Sequence, residues 1–233
     1  MATQSHEPPD TSPRRSRGVS FWIGVGLILA GLAVLGYVAW QFFGTNLVAR
    51  QKQQTIVEQT QKAWRSQAGA GATGTATGME LDGASALIRI PRFGKNYVMP
   101  VQEGLSDSVL AEGYGHFRGS ADAGGTGNYA LAAHRVTHGE PLRDMPKLRP
   151  GDEIVVETRD KTYTYRLDTD PNELIVTFAD VWVIDELPKN PRGGVEPAQR
   201  PGQKLITLTT CAELFHTDDR MIAFGHLVDT TSR

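Results

Sequence analysis

Hydrophobic patterning divides the chain into two regimes. From Phe21 to Phe43, 23 residues run without a formal charge. As a helix this stretch spans about 34 Å at about 1.5 Å per residue, enough for a hydrocarbon core of about 30 Å. It is predicted to be an uncleaved membrane span, since the apolar region of a signal peptide is usually about 7 to 15 residues. Leu47 to Trp64 is polar and free of Gly and Pro, with Leu47, Ile56, Val57, Ala63 and Trp64 among its few apolar positions. This pattern predicts a short helix continuing the span. Ser66 to Gly78 is built almost wholly from Gly, Ala and Thr and reads as a flexible spacer. From Glu80 onward short apolar runs alternate with turn residues. Strands are predicted over 86–90, 97–101, 129–133, 153–157, 162–167, 174–177, 181–184, 205–210 and 221–227. Prolines at 91, 100, 150, 171, 188, 191 and 201 punctuate them. Only Ser106–Ala111 and Leu142–Leu148 read as helical within this region. Repeated short strands favour a closed barrel or a sandwich.

The expected organisation is therefore a disordered cytoplasmic tail over 1–20, rich in Ser, Pro and Arg, and a transmembrane helix over 21–43. A helical stalk and linker follow over 44–79, then an extracytoplasmic all-β domain over 80–233. Arg14, Arg15 and Arg17 precede the span while Arg50, Lys52 and Lys62 follow it, so the positive-inside count is nearly balanced. The tighter N-terminal cluster favours a cytoplasmic N-terminus and a single-pass topology. A formal net charge of -2 and the lack of a basic stripe with interleaved aromatics argue against nucleic-acid binding.

The chemistry centres on Cys211, the only cysteine, which ends the run Leu205-Ile206-Thr207-Leu208-Thr209-Thr210-Cys211. A lone thiol forms no internal disulfide, and strand ends are where folds present reactive groups. Arg220 opens one further apolar run and His134 closes another. An unperturbed thiol, with pKa near 8.5, is only a few per cent thiolate at neutral pH, a shortfall of about 2 kcal/mol that adjacent cations offset. If the three converge, they supply a nucleophile, a proton-transfer group and a fixed positive donor for a developing oxyanion, a set suited to acyl transfer. By residue type alone each has a plainer reading: a buried small hydrophobe, one structural histidine among six, and a surface ion pair with Asp218 or Asp219.

Local context changes the balance. The segments Tyr129-Ala130-Leu131-Ala132-Ala133-His134-Arg135 and Thr207-Leu208-Thr209-Thr210-Cys211, with Arg220 nine residues beyond the cysteine, resemble the signature segments of the sortase family. So does Gly113-Tyr114-Gly115-His116-Phe117-Arg118-Gly119-Ser120, followed by the glycine-rich lead into the histidine strand. The resemblance covers about residues 86 to 228. The Leu-Thr-Thr-Cys form and the Cys-to-Arg spacing resemble the class C, D and E sortases more than class A, and among these the N-terminal anchor without an evident C-terminal span is most like class E, the type of high-GC Gram-positive bacteria.

The resemblance implies a closed eight-stranded β-barrel and an extracytoplasmic cysteine transpeptidase; no cofactor is expected, and the residues themselves give no metal site. It implies that Cys211 attacks the Thr-Gly bond of a C-terminal sorting signal, His134 protonates the leaving amine and Arg220 stabilises the oxyanion. The implied partners are surface proteins bearing such signals and an amine acceptor, commonly a lipid-linked peptidoglycan precursor. Phe117 stands where class E members often carry Tyr, a position linked to preference for Leu-Ala-X-Thr-Gly over Leu-Pro-X-Thr-Gly, so the preference stays open. Ala212-Glu213 replaces a more familiar Pro-containing segment after the cysteine.

Thr210 is a second substrate-binding candidate, through its hydroxyl or backbone amide, against the reading of an ordinary strand threonine. His216 is the rival base, set among Thr217, Asp218 and Asp219 where a solvated histidine is expected. His116, His138 and His226 have no partner at zinc-like spacing, and Glu213, Asp218 and Asp219 lack the usual run of calcium ligands. The alternative from another class is a non-catalytic membrane-anchored β-barrel that binds or scaffolds, with its cysteine inert. Thiol-disulfide exchange is disfavoured by the lack of a resolving cysteine.

Overall fold

The computed structural model describes residues 18–40, 44–68, 83–212 and 218–233. The expected tail up to residue 17, most of the Gly/Ala/Thr spacer, and Glu213 and His216 lie outside the described residues. The chain forms two compact units, residues 1–41 and 42–233.

In the first unit, helix α1 (Val19–Ala39) matches the apolar run. It is long and apolar enough to cross a membrane by length and composition, with a mean hydropathy of 2.2.

The second unit begins with α2 (Thr45–Ala68). One stripe of α2, at Ala49, Gln53, Val57 and Thr60, is buried at helical spacing. Val57 packs with Ala84 and Leu87, flanked by Ile56, Trp64 and Val98. The strands are β1 (Ala86–Arg89), β2 (Met99–Glu103), β3 (Tyr114–His116), β4 (Gly127–Ala133), β5 (Glu153–Glu157), β6 (Lys161–Leu167), β7 (Ile175–Thr177), β8 (Lys204–Cys211) and β9 (Asp219–Ser232). Their order is β6-β5-β1-β2-β3-β4-β8-β9-β7, and β6 also pairs with β9. That extra pairing joins eight strands into a closed barrel, which removes the open sheet edges. The ninth strand, β7, sits outside the ring against β9. The short helix α3 (Asp107–Glu112) leads into β3 and is capped by the Ser106 hydroxyl, which accepts from the Val109 amide.

Strand alternation sorts the side chains. Tyr129, Leu131 and Ala133 of β4, Ile206 and Leu208 of β8, and Met221 and Ala223 of β9 fill the barrel core. The opposite parity faces outward. On that outer side Ile222 and Phe224 are covered by Leu174, Val176, Trp182 and Val183 from the long connection between β6 and β8. A buried polar network holds the cover in place: Asn128 Nδ2 donates to the carbonyls of Val183 (3.2 Å) and Asp185 (3.1 Å), and the Thr207 hydroxyl donates to Asn128 Oδ1 at 2.8 Å.

Val181–Ile184, expected as a strand, is a 3-10 turn. The reason is local. Asp180 accepts from both the amide and the hydroxyl of Thr177, at 2.9 Å each, bending the chain just before it. Trp182 and Val183 then drop onto the outer face of β9. Of Leu142–Leu148, only Met145–Lys147 is helical, again as a 3-10 turn.

Candidate active site

Cys211 ends β8 and Arg220 is its cross-strand partner in the antiparallel β8–β9 ladder. Directly paired residues of such a ladder project to the same face with Cβ atoms about 5 Å apart. On its other side β8 runs parallel to β4, in a register that pairs Ala132 with Thr209. Continuing that register by two residues sets His134 alongside Cys211. All three have outward parity, at the same end of three adjacent strands, and all three are half-buried. The cysteine is therefore neither sealed in the core nor fully solvated.

Several groups steady this end of the sheet. Arg135 Nη1 donates to the Cys211 carbonyl (3.4 Å) and to that of Ala212, tying the residue after the histidine to the residues at the thiol. The Ala212 amide donates to Asp219 O at 3.0 Å, closing the base of the loop between β8 and β9. The Arg220 guanidinium lies over the Phe178 ring, with Cζ 3.9 Å from the centroid, and its Nη1 donates to Asp219 O at 2.8 Å. The His134 ring stacks on that of His138, with centroids 4.8 Å apart and planes inclined by 28°.

Thr210 has inward parity. Its hydroxyl is buried and donates to the Ala133 carbonyl at 2.7 Å, pinning β8 to β4 one residue before the thiol. Phe117 follows β3, and its amide donates to Ala130 O. The structure does not bring it beside the other three: Ala130 lies four residues before His134, roughly 13 Å along the strand at about 3.3 Å per residue. His116 is buried, its ring nitrogens facing Glu103 Oε1 at 2.9 Å, the Ser120 hydroxyl at 2.9 Å and Ala121 O at 3.1 Å. His226 faces Asp168 at 2.7 Å, on the far part of β9 from Arg220.

Comparison with known proteins decides what this arrangement belongs to. Residues 88–228, most of the second unit, match the family model of the sortase domain. This chain belongs to the sortase family. It is similar to sortase SrtE1 of Streptomyces coelicolor, 35% identical over 219 residues that cover 91% of this chain and 58% of the relative. The chain thus spans under two thirds of that relative's length. SrtE2 of the same organism is 28% identical over 89% of this chain and 81% of its own. Among solved structures, sortase E of Streptomyces avermitilis is 40% identical with a TM-score of 0.56, covering 64% of this chain and 90% of that one. The crystal structure of Streptomyces coelicolor sortase E1 with a tripeptide in the active site is 36% identical with a TM-score of 0.56, covering 64% and 91%. These matches place the sortase with the class E type and agree with the closed eight-stranded barrel.

Sequence reasoning assigned nothing to Arg135, His138 or Phe178. Arg135 adjoins His134 and was within reach of a reading by adjacency. Phe178 carried no signal, since only the path of the connection between β6 and β8 brings it under Arg220.

Proposed function

We propose that this sortase is a cysteine transpeptidase that cleaves a C-terminal Leu-Pro-X-Thr-Gly or Leu-Ala-X-Thr-Gly signal between Thr and Gly. The observation that carries the proposal is the convergence of Cys211, His134 and Arg220 at one end of β4, β8 and β9, on the outer face of the barrel. Cys211 gives its thiol proton to His134, and Sγ attacks the threonine carbonyl carbon as the carbonyl π pair moves to oxygen. Arg220 faces that oxyanion, its guanidinium held against Phe178 and the Asp219 carbonyl. Collapse of the adduct breaks the C–N bond, and His134 delivers a proton to the departing glycine nitrogen. An acceptor amine then attacks the thioester, gives up its proton to His134 and releases the thiolate. The tripeptide held by the active site of Streptomyces coelicolor sortase E1 supports a peptide occupant at the equivalent place.

The three residue steps from threonine back to leucine span about 10 Å when extended, so a signal whose threonine lies at Cys211 carries its leucine end most of the way toward Phe117, the substrate-binding residue proposed at that end. Thr210, whose hydroxyl is committed to Ala133 and whose cross-strand partner is Met221, serves substrate by fixing the strand end that presents Cys211. The anchor reading rests on α1. Residues 1–20 form a cytoplasmic tail, 21–43 a transmembrane helix, 44–79 a stalk and linker, and 80–233 the catalytic domain outside the membrane. Tethering enzyme and lipid-linked acceptor to one surface raises their effective concentration without a new contact.

The test is mass spectrometry of the full chain mixed with a sorting-signal peptide library and candidate amines. The expected result is a thioester adduct on Cys211, ending in threonine, that an added amine discharges to a new amide. Cleavage elsewhere in the peptide, or no adduct while the thiol stays reactive to a methanethiosulfonate, overturns the reading.

A further inference from the structure

The segment after His134 leaves the barrel and returns at once, since the Leu142 amide donates to His134 O at 2.9 Å. At its tip the Glu140 amide donates to Thr137 O at 3.0 Å, closing a tight turn. Within that turn His138, Gly139 and Glu140 all have positive φ, at 53°, 79° and 56°. Two of the three carry side chains, and left-handed backbone is unfavourable for a non-glycine residue. Such a run persists only when its surroundings hold it, and it is characteristic of functional segments.

What holds it is α2. Gln53 Nε2 donates to His138 O at 2.9 Å, Asn46 Oδ1 accepts from the Gly139 amide at 2.9 Å, and Arg50 pairs with Glu140 at 3.2 Å. Three side chains of one helix thus bind three consecutive residues of the strained turn. Gly139 permits the approach: a Cβ there would lie 2.5 Å from Gln53 Oε1. Gln53 is 2% exposed in an otherwise mostly apolar stripe, and its Oε1 has no hydrogen-bond partner among the described residues. A buried amide that is half unsatisfied destabilises the packing relative to an apolar side chain, so packing alone does not account for it. The group it does bond is the carbonyl of His138, whose ring stacks on His134.

We propose that Gln53 is a positioning residue for His134: through the left-handed turn and the His138 ring, α2 fixes the imidazole that serves Cys211. The inference rests on His134 being the proton-transfer group, as proposed above. The consequence is that the stalk helix belongs to the catalytic machinery in function, although it lies outside the barrel and the matched sortase domain.

The experiment uses the full chain in detergent micelles and measures turnover of the sorting-signal peptide, the His134 ring proton signals by NMR, and Tm. Gln53→Leu, near in volume and without the donor, is expected to lower kcat about tenfold with KM within twofold and to move the His134 ring signals as the ring-current field of His138 shifts. His138→Ala is expected to do the same, and His138→Phe to restore kcat to within threefold. If Gln53→Leu does not fold, the two His138 variants carry the test. Unmoved His134 signals in Gln53→Leu or in His138→Ala, or a fall in Tm with kcat unchanged, overturn the inference. An active His134→Ala would instead overturn the acid assignment, leaving the ring signals to decide positioning on their own.

Discussion

Cys211 and Arg220 are directly paired across β8 and β9, so their separation is set by sheet register rather than by loop conformation. A one-residue slip would send one of them into the barrel. The pairing predicts that Arg220→Ala lowers kcat by about 10² to 10³, the usual effect of losing an oxyanion donor. Its position at the strand end predicts little change in Tm. Steady-state kinetics and thermal melts check both, and a large Tm loss would assign Arg220 to the fold instead.

Phe178 is 66% exposed, yet its ring supports the Arg220 guanidinium. A cation over a ring at an exposed site contributes about 0.5 to 1 kcal/mol. Phe178→Ala is expected to lower kcat about twofold to fivefold and to leave Tm within a degree or two. Phe178→Tyr, which keeps the face of the ring, should behave as wild type.

Thr210→Val keeps the shape of the side chain and removes the donor to the Ala133 carbonyl. A buried hydrogen bond of this kind contributes about 1 kcal/mol, with a further penalty for the orphaned carbonyl. The expected fall in Tm is about 2 to 6 °C, measured by calorimetry. An unchanged Tm would show that the clamp between β8 and β4 does not rest on this hydroxyl.

Arg92 hydrogen-bonds Asp152 through two nitrogens, the shortest contact being 2.6 Å, and the Arg149 amide adds a third donor. The Arg92 contact, followed by the Arg149 amide, holds the Asp152 carboxyl below its ordinary range against the opposing effect of burial. A depressed folded-state pKa stabilises the fold above the unfolded value, near pH 4, and that contribution disappears as acid protonates the folded carboxylate. Wild type and Asp152→Asn should therefore differ in Tm at pH 7 and converge as the pH falls from the unfolded value, near 4, through the lower folded one. Parallel curves down to pH 2.5 would remove Asp152 from the acid response.

Much of the barrel was legible because its strands alternate cleanly. Glu153–Glu157 is bounded as the pattern predicts, and β6, β8 and β9 differ from it mainly at their ends. The short β3 escaped because Tyr114-Gly115-His116 is glycine-centred and only three residues long. Val181–Ile184 misled because β-branching marks a residue fit for a pleated surface, while the Asp180 turn decided otherwise. At the site, Cys211, His134 and Arg220 were marked by their places at the ends of three apolar runs. Gln53 and His138 carried no such signal. Their relation exists only because α2 crosses the turn at a glycine, and nothing local to either residue encodes that crossing.

The thiol and the imidazole are carried by parallel neighbours, β4 and β8, with residues 134–203 lying between them. Parallel strands meet only after their crossover has been laid down, the slowest kind of contact for a chain to make. Until β4 and β8 meet, the sulfhydryl lacks the imidazole proposed to serve it, even where the β8–β9 pairing has already set Arg220 across from it. On the proposed mechanism, a nascent chain short of that crossover has no imidazole beside its thiol with which to cut its neighbours.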